Sequence, residues 1–212
     1  MRTMKAILLV AAMAVMATAA HAGTMTFGLN GDAAIPMSDF GDVMKVGYGG
    51  GVYGDYWIKD DYAFGVDING DFFSAKDDIL DAIKAASGPT YQDPSVKATL
   101  ISFGVHGIWS PAMAGSSFSP WITYGAGMYH ISGKIEDADP ALDINGDSSD
   151  NKFGFNIGVG GDVKAGASMK FGAQVKYNYV LDGTTDSSGE DTAASYVTVG
   201  LHLTFLTAAA TK

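Results

Sequence analysis

The sequence contains no cysteine, and its 13 lysine and arginine residues are outnumbered by 23 aspartate and glutamate residues. Without cysteine, disulfides are excluded, so stability must come from backbone pairing and packing. The formal net charge of −10 argues against a nucleic-acid partner, because such proteins place basic side chains against phosphates. The chain also lacks P-loop, CxxC and HExxH motifs.

The first 22 residues have the pattern of an export signal. Arg2 and Lys5 precede a short apolar run, and Ala20-His21-Ala22 has the small-x-small form of a signal-peptidase site. We expect cleavage before Gly23, which leaves residues 23–212 as one exported domain. That domain is rich in hydrophobic residues but has no unbroken apolar run of about 18 residues, as a spanning helix requires. This combination suggests a β-barrel.

Alternation of apolar with small or polar residues is the strongest pattern in the chain. In residues 196–205 the odd positions are all apolar, and the even positions include Gly200 and His202. Similar runs predict eight strands at about 24–34, 46–57, 62–74, 96–109, 120–133, 153–163, 169–181 and 196–205.

The predicted connections alternate between long and short. The long ones are about 35–45, 75–95, 134–151 and 182–194, and the short ones are about 58–61, 110–119 and 164–168. Of the 23 acidic residues, 16 fall in the long connections, where water tolerates charge that lipid would not. Trp57, Trp109 and Trp121 fall at the short-turn ends, as in an aromatic belt, although only Trp109 clearly points to lipid by alternation.

In strands, connections and charge, the chain resembles the small eight-stranded outer-membrane barrels of the OmpX, OmpA membrane-domain and OmpW type. The resemblance implies an all-β, antiparallel, up-and-down transmembrane barrel in a Gram-negative outer membrane, with short periplasmic turns and longer outer loops. It also implies contact with the lipid bilayer and lipopolysaccharide, and insertion by the barrel-assembly machinery, for which Phe205 fits the aromatic signal of the last strand. A soluble exported β-sandwich is the alternative, since its apolar face would form a core.

Many polar residues are predicted to face the lumen. An eight-stranded barrel is just wide enough for its side chains to fill it, so we expect these groups to pair as a structural polar plug. The inward glycines could leave free space, which makes a narrow channel the alternative. The polar set is Asp32, Asp55, His106, Asn156, Asp162, Lys170, Gln174, Lys176 and His202, and the glycines are Gly47, Gly49, Gly51, Gly104, Gly125, Gly127, Gly158 and Gly160.

The sequence DINGD occurs at Asp67–Asp71 and at Asp143–Asp147, and its spacing is that of the start of a calcium loop. Neither copy has the required glycine at position 6. In a strand, the first copy would spread its ligands too far apart to surround one ion. The second lies in the acidic stretch Ile135–Asn151, for which we favour a solvated loop over weak binding of a divalent cation. No metal-binding or cofactor-binding residue is therefore assigned.

Residues 76–86, KDDILDAIKAA, predict a short helix in the second outer connection. Ile79, Leu80 and Ile83 recur at helical spacing, and Gly88-Pro89 would end the helix. We expect its apolar face to cap the mouth of the barrel.

His130 and Ser132 lie two residues apart near the outer rim and resemble the His-x-Ser pair of lipid A deacylases. Neither glutamate of the chain, Glu136 or Glu190, has a spacing that matches that family. No catalytic residue is assigned, and we predict a non-enzymatic protein. Its expected role is structural, adhesive or surface-interacting through the acidic loops, with an unidentified external ligand and a narrow channel for small or apolar molecules as the alternative.

Overall fold

The computed structural model describes residues 24–87, 94–111, 117–136, 146–181 and 194–207. These residues form a closed barrel in which each strand pairs antiparallel with its sequence neighbours and β1 pairs with β8. Two helices lie between strands, α1 (Ser38–Val43) after β1 and α2 (Asp77–Ser87) after β3. The strands are β1 (Thr24–Met37), β2 (Gly47–Lys59), β3 (Tyr62–Ser74), β4 (Ser95–Trp109), β5 (Phe118–Glu136), β6 (Gly146–Lys164), β7 (Met169–Val180) and β8 (Ala194–Leu206).

The two ends of the barrel differ in their connections. The turns that follow Lys59, Trp109 and Lys164 are short, and they lie at the end where β1 begins and β8 ends. In outer-membrane barrels this is the periplasmic end, and the opposite end carries the longer loops. The eight predicted strands, their order and the alternation of long with short connections are confirmed.

The wall of the barrel is apolar on its outer surface. On β8, Leu201 is 54% exposed whereas its neighbour His202 is only 4% exposed, so alternate residues face outward and into the lumen. Val159, Val175 and Val199 are in register on three adjacent strands and form part of this surface. Because the apolar face points outward and the sheet closes on itself, the soluble-sandwich alternative is wrong. Within the described ranges, no helix is long and apolar enough to cross a membrane.

Two predicted connections are shorter than expected. β1 continues to Met37, and α1 replaces part of the predicted loop at 35–45. β5 and β6 extend as a hairpin to Glu136 and from Gly146, so about half of the predicted acidic stretch at 135–151 is strand. Beyond the bilayer a strand needs no apolar face, so its backbone pairing continues after the alternation in sequence has ended.

A charge on the outer wall tests its exposure to lipid. We expect Val175→Arg to lower the free energy of unfolding in a bilayer by about 2–4 kcal/mol, because lipid at mid-depth does not solvate the cation. Val46→Arg, at an exposed site just before β2, is the control and should change it by less than about 0.5 kcal/mol. The measurement is urea unfolding in vesicles, followed by tryptophan fluorescence. Equal losses in the two variants would contradict the assignment.

Candidate functional site

The lumen is built from rows in which a glycine on one strand lies between two polar side chains on the strands beside it. Gly65 on β3 is the Cα partner of both Asp55 on β2 and His106 on β4. A Cβ atom at Gly65 would collide with the Asp55 carboxylate and the His106 ring. The missing side chain therefore lets the two polar groups meet across the middle strand.

The central network consists of Asp55, His106 and Asp67. His106 Nε2 lies 2.8 Å from Asp55 Oδ1, and Nδ1 lies 2.8 Å from Asp67 Oδ2. All three side chains are less than one tenth exposed. A histidine ring donates from both nitrogens only as imidazolium, so the ring serves as the cation between two carboxylates. Thr26 Oγ1 and Asn69 Nδ2 complete the network by donating to Asp55 and Asp67.

The same row recurs on the opposite side of the barrel. Gly172 on β7 is the Cα partner of Asp162 on β6 and of His202 on β8. His202 Nε2 lies 2.5 Å from Asp162 Oδ1, directly over Gly172. Both Asp-Gly-His rows thus span three consecutive strands, β2 to β4 and β6 to β8, and each ties two strands that are not backbone partners.

Two further rows follow the same rule. Gly28 lies between Tyr53 and Thr204, whose hydroxyl oxygens are 2.6 Å apart. Gly49 lies between Asp32 and Asp71, and a Cβ there would contact an oxygen of each carboxylate. The hydroxyl of Tyr196 donates to Asp71 at 2.8 Å, and Asn30 donates to Asp32 at 2.9 Å. The predicted inward glycines do not enlarge the lumen, because neighbouring side chains, or backbone atoms at Gly127, occupy the space above them.

The lumen narrows to small cavities. Near the periplasmic end a cavity of about 60 Å³ lies among Tyr53, Trp57, Trp121 and His202, with Lys170 over the Trp57 ring at 5.7 Å. This is room for a few water molecules. Asp67, Gln174 and Lys176 line both this cavity and a smaller one nearer the outer end. The predicted inward polar residues all line the lumen, as alternation indicated.

The outer end of the lumen is closed by an apolar cluster, which we call the outer plug. Its members face inward at the outer ends of their strands, and the aromatic rings meet edge to face, Phe73 to Tyr196 at 5.6 Å. Phe40 from α1 packs on Phe73 at 5.0 Å, and Met44 also contacts the cluster. The outer plug consists of Ala34, Phe73, Ala98, Leu100, Tyr129, Val180 and Tyr196.

The helix predicted at 76–86 exists as α2, but it does not close the mouth as expected. Among its residues up to Ala85, whose side chains are described, none belongs to the outer plug or packs against it. The short helix α1 covers the mouth instead. Ser38 takes a left-handed φ of 52° directly after β1. This turn lets α1 pack back on β1 and β8. Sequence analysis did not predict α1 or the outer plug. Alternation places Phe73, Tyr129 and Tyr196 on the inward face, which is a signal for an apolar layer inside the barrel.

The two DINGD copies have different surroundings. In the first, Asp67 binds His106 and Asn69, and Asp71 binds Tyr196, so the ligand-type groups serve the protein itself. In the second, residues 143–145 lie outside the described residues, and Gly146 and Asp147 begin β6. Within the described ranges, no group of three histidine or carboxylate side chains has an arrangement suited to a metal ion.

His130 and Ser132 both face outward on β5. His130 Nδ1 lies 3.1 Å from Asn151 Oδ1 on β6, so one ring nitrogen binds an amide. Glu190 and the side chain of Glu136 lie outside the described residues. The predicted pair is therefore on one face, with an asparagine as the neighbour of the histidine.

Removing the imidazole tests the central network. We expect His106→Ala to lower the free energy of unfolding by about 3–5 kcal/mol, because it leaves two buried carboxylates without their cation. The exposed His130→Ala should change it by less than about 0.5 kcal/mol. Adding Asp55→Asn and Asp67→Asn to His106→Ala should restore part of the loss. Unfolding in urea with vesicle-bound protein gives these values, and equal losses for the two histidine variants would contradict the role of the network.

Comparison with solved structures finds the same fold in several outer-membrane proteins. A major outer membrane protein from Thermus thermophilus has a TM-score of 0.56 at 14% identity, over 86% of this chain and 99% of that one. Neisserial surface protein A has a TM-score of 0.55 at 16% identity, over 85% and 96%. The attachment invasion locus protein Ail of Yersinia pestis, in complex with the heparin analogue sucrose octasulfate, has a TM-score of 0.50 at 12% identity, over 87% and 97%.

At these identities the structural likeness establishes the fold alone. No curated protein sequence matches the chain. The model of the outer membrane protein beta-barrel domain matches residues 6–205, nearly the whole chain. The closed eight-stranded barrel with an apolar outer wall agrees with that match. The protein is thus a member of the outer membrane protein beta-barrel domain family and resides in the outer membrane.

Proposed function

We propose that this protein is a non-conducting barrel that acts at the cell surface through its acidic outer segments. The observation that carries the proposal is the closure of the lumen at its outer end by the outer plug. Solutes that enter from the periplasmic end meet first the central network and then an apolar layer. Interaction with the exterior is therefore left to the loops and the ends of the strands.

The filled lumen supports this role over the narrow-channel alternative. His106 and His202 cross-link strands through buried contacts with aspartate side chains, which suits a rigid scaffold. An apolar constriction also opposes ion passage, because it does not hold water. The small cavity near the periplasmic end is bordered by Trp57 and Trp121 and is far smaller than the lumen of a solute channel.

The outer surface carries the acidic groups that a surface role would use. α1 contributes Asp39 and Asp42, and α2 contributes Asp77, Asp78 and Asp81. Ail is seen with a sulfated heparin analogue, which is a polyanion. The acidic segments of this chain would repel such a ligand, so we infer that their partner is a basic surface. Insertion by the barrel-assembly machinery, with Phe205 as the aromatic residue of the last strand, stays a prediction.

The first test measures conductance. In planar bilayers we expect no single-channel steps from the purified protein, because the outer plug and central network block the lumen. A wide porin in the same bilayers serves as the positive control. Stepwise conductance that Phe73→Ala increases would overturn the proposal and favour a channel whose resistance lies at the plug.

The second test measures binding to a basic probe. We expect poly-lysine to bind the protein in zwitterionic nanodiscs, with about tenfold weaker affinity after Asp77→Asn, Asp78→Asn and Asp81→Asn together. Asp60→Asn with Asp61→Asn, in the turn between β2 and β3, is the control at the other end and should leave the affinity nearly unchanged. Equal binding by the α2 variant and the wild type would contradict a role for this helix.

A further inference from the structure

Two aspartates meet in the lumen directly beneath the outer plug. Asp32 on β1 and Asp71 on β3 are both Cα partners of Gly49 on β2, so their side chains meet over a residue that has no side chain. A Cβ atom at Gly49 would contact the Oδ1 atom of each carboxyl group, so both Oδ1 atoms border the same small space. We propose that Asp32 and Asp71 share one proton, which makes the pair a pH-sensitive clamp between β1 and β3.

The hydrogen bonds around the pair leave the two Oδ1 atoms for each other. Asp71 Oδ2 accepts from the Tyr196 hydroxyl at 2.8 Å, and Asp32 Oδ2 accepts from Asn30 at 2.9 Å. Asp32 Oδ1 is buried, and no donor in the part of the chain that the structure describes binds it. The Asp71 side chain lies within hydrogen-bonding distance of Asp32. Two carboxylates cannot bond to each other because neither has a donor, whereas a protonated Asp71 donates to Asp32.

The surroundings of the pair favour one proton over none. Asp71 is only 4% exposed, and a buried charge without a partner is costly. When two carboxyl groups share a site, the ionisation of one opposes that of the other. Among the described residues that line this small cavity, Lys176 is the only basic one. Asp32 and Asp71 thus have one cation for two carboxyl groups, and a shared proton supplies the missing positive charge.

The other titratable groups that line this cavity have partners of their own. Asp67 on β3 lies 2.8 Å from His106 of the central network. Tyr129 on β5 and Tyr196 on β8 donate hydrogen bonds from their hydroxyls. In the described ranges, β4 and β6 line the cavity with neutral side chains only. None of these groups replaces the proton between the two aspartates.

The clamp reaches the outer plug through Tyr196. With the proton in place, Asp32, Asp71 and Tyr196 form one hydrogen-bonded chain that joins β1, β3 and β8. Loss of the proton would set two negative charges against each other over Gly49 and weaken this chain. The folded pair holds a proton that the aspartates of the unfolded chain release, so the stability due to the clamp falls as the pH rises.

The experiment compares the pH dependence of urea unfolding in vesicles between the wild type and Asp71→Asn. An asparagine at this position accepts from Tyr196 and donates to Asp32 without a proton that it can lose. Asp32→Asn takes its place if Asp71→Asn does not fold. The matched control is Asp42→Asn, which removes an exposed aspartate of α1. A heat-modifiable gel shift verifies that each variant is folded.

We expect the folding equilibrium constant of the wild type to fall about tenfold per pH unit relative to Asp71→Asn between about pH 4.5 and 6. In this range the unfolded aspartates are ionised, because a free aspartate has a pKa of about 3.9, while the folded pair keeps its proton. Asp42→Asn should follow the wild type. The same pH dependence in the wild type and Asp71→Asn would overturn the proposal.

Infrared spectroscopy of the folded protein gives a second readout that does not depend on unfolding. At about pH 6, where free aspartates are ionised, we expect the carbonyl stretch of a protonated carboxyl group in the wild type and in Asp42→Asn. Asp32→Asn and Asp71→Asn should each lose it, because a single carboxylate beside an amide donor needs no proton. A wild type without this band, or a band undiminished in both of these variants, would contradict a shared proton.

Discussion

The whole structure depends on how polar side chains fit inside a closed sheet of eight strands. Every second residue must point into a lumen just wide enough for side chains, and buried charges there need partners. Glycine on the middle strand of a row solves both problems, since it makes room and brings the flanking groups into contact. The rows Asp55-Gly65-His106 and Asp162-Gly172-His202 are the clearest cases.

These rows give the barrel cross-links that its backbone ladder does not provide. Backbone hydrogen bonds join only adjacent strands, whereas each histidine joins strands separated by one. Tyr53 with Thr204 does the same across β1. A barrel fastened in this way is a rigid support, which suits the proposed role at the cell surface.

The lumen and the outer wall differ in polarity. The lumen is polar and ends in the apolar outer plug, on which Phe40 packs. The wall is apolar where it faces lipid, as at Ile101 and Phe103. The loops above are acidic.

The sequence alone determined the number of strands, their order, which residues face lipid and which end carries the longer loops, because alternation with period two records the two faces of a strand directly. Tertiary structure decided the rest. Register placed Gly65 between Asp55 and His106, and register depends on pairing between strands that are distant in sequence. The outer plug and α1 also escaped prediction, because they depend on Phe40 meeting Phe73 across the mouth of the barrel. The extension of β5 and β6 had no apolar signal, since backbone pairing continues beyond the bilayer without an apolar face.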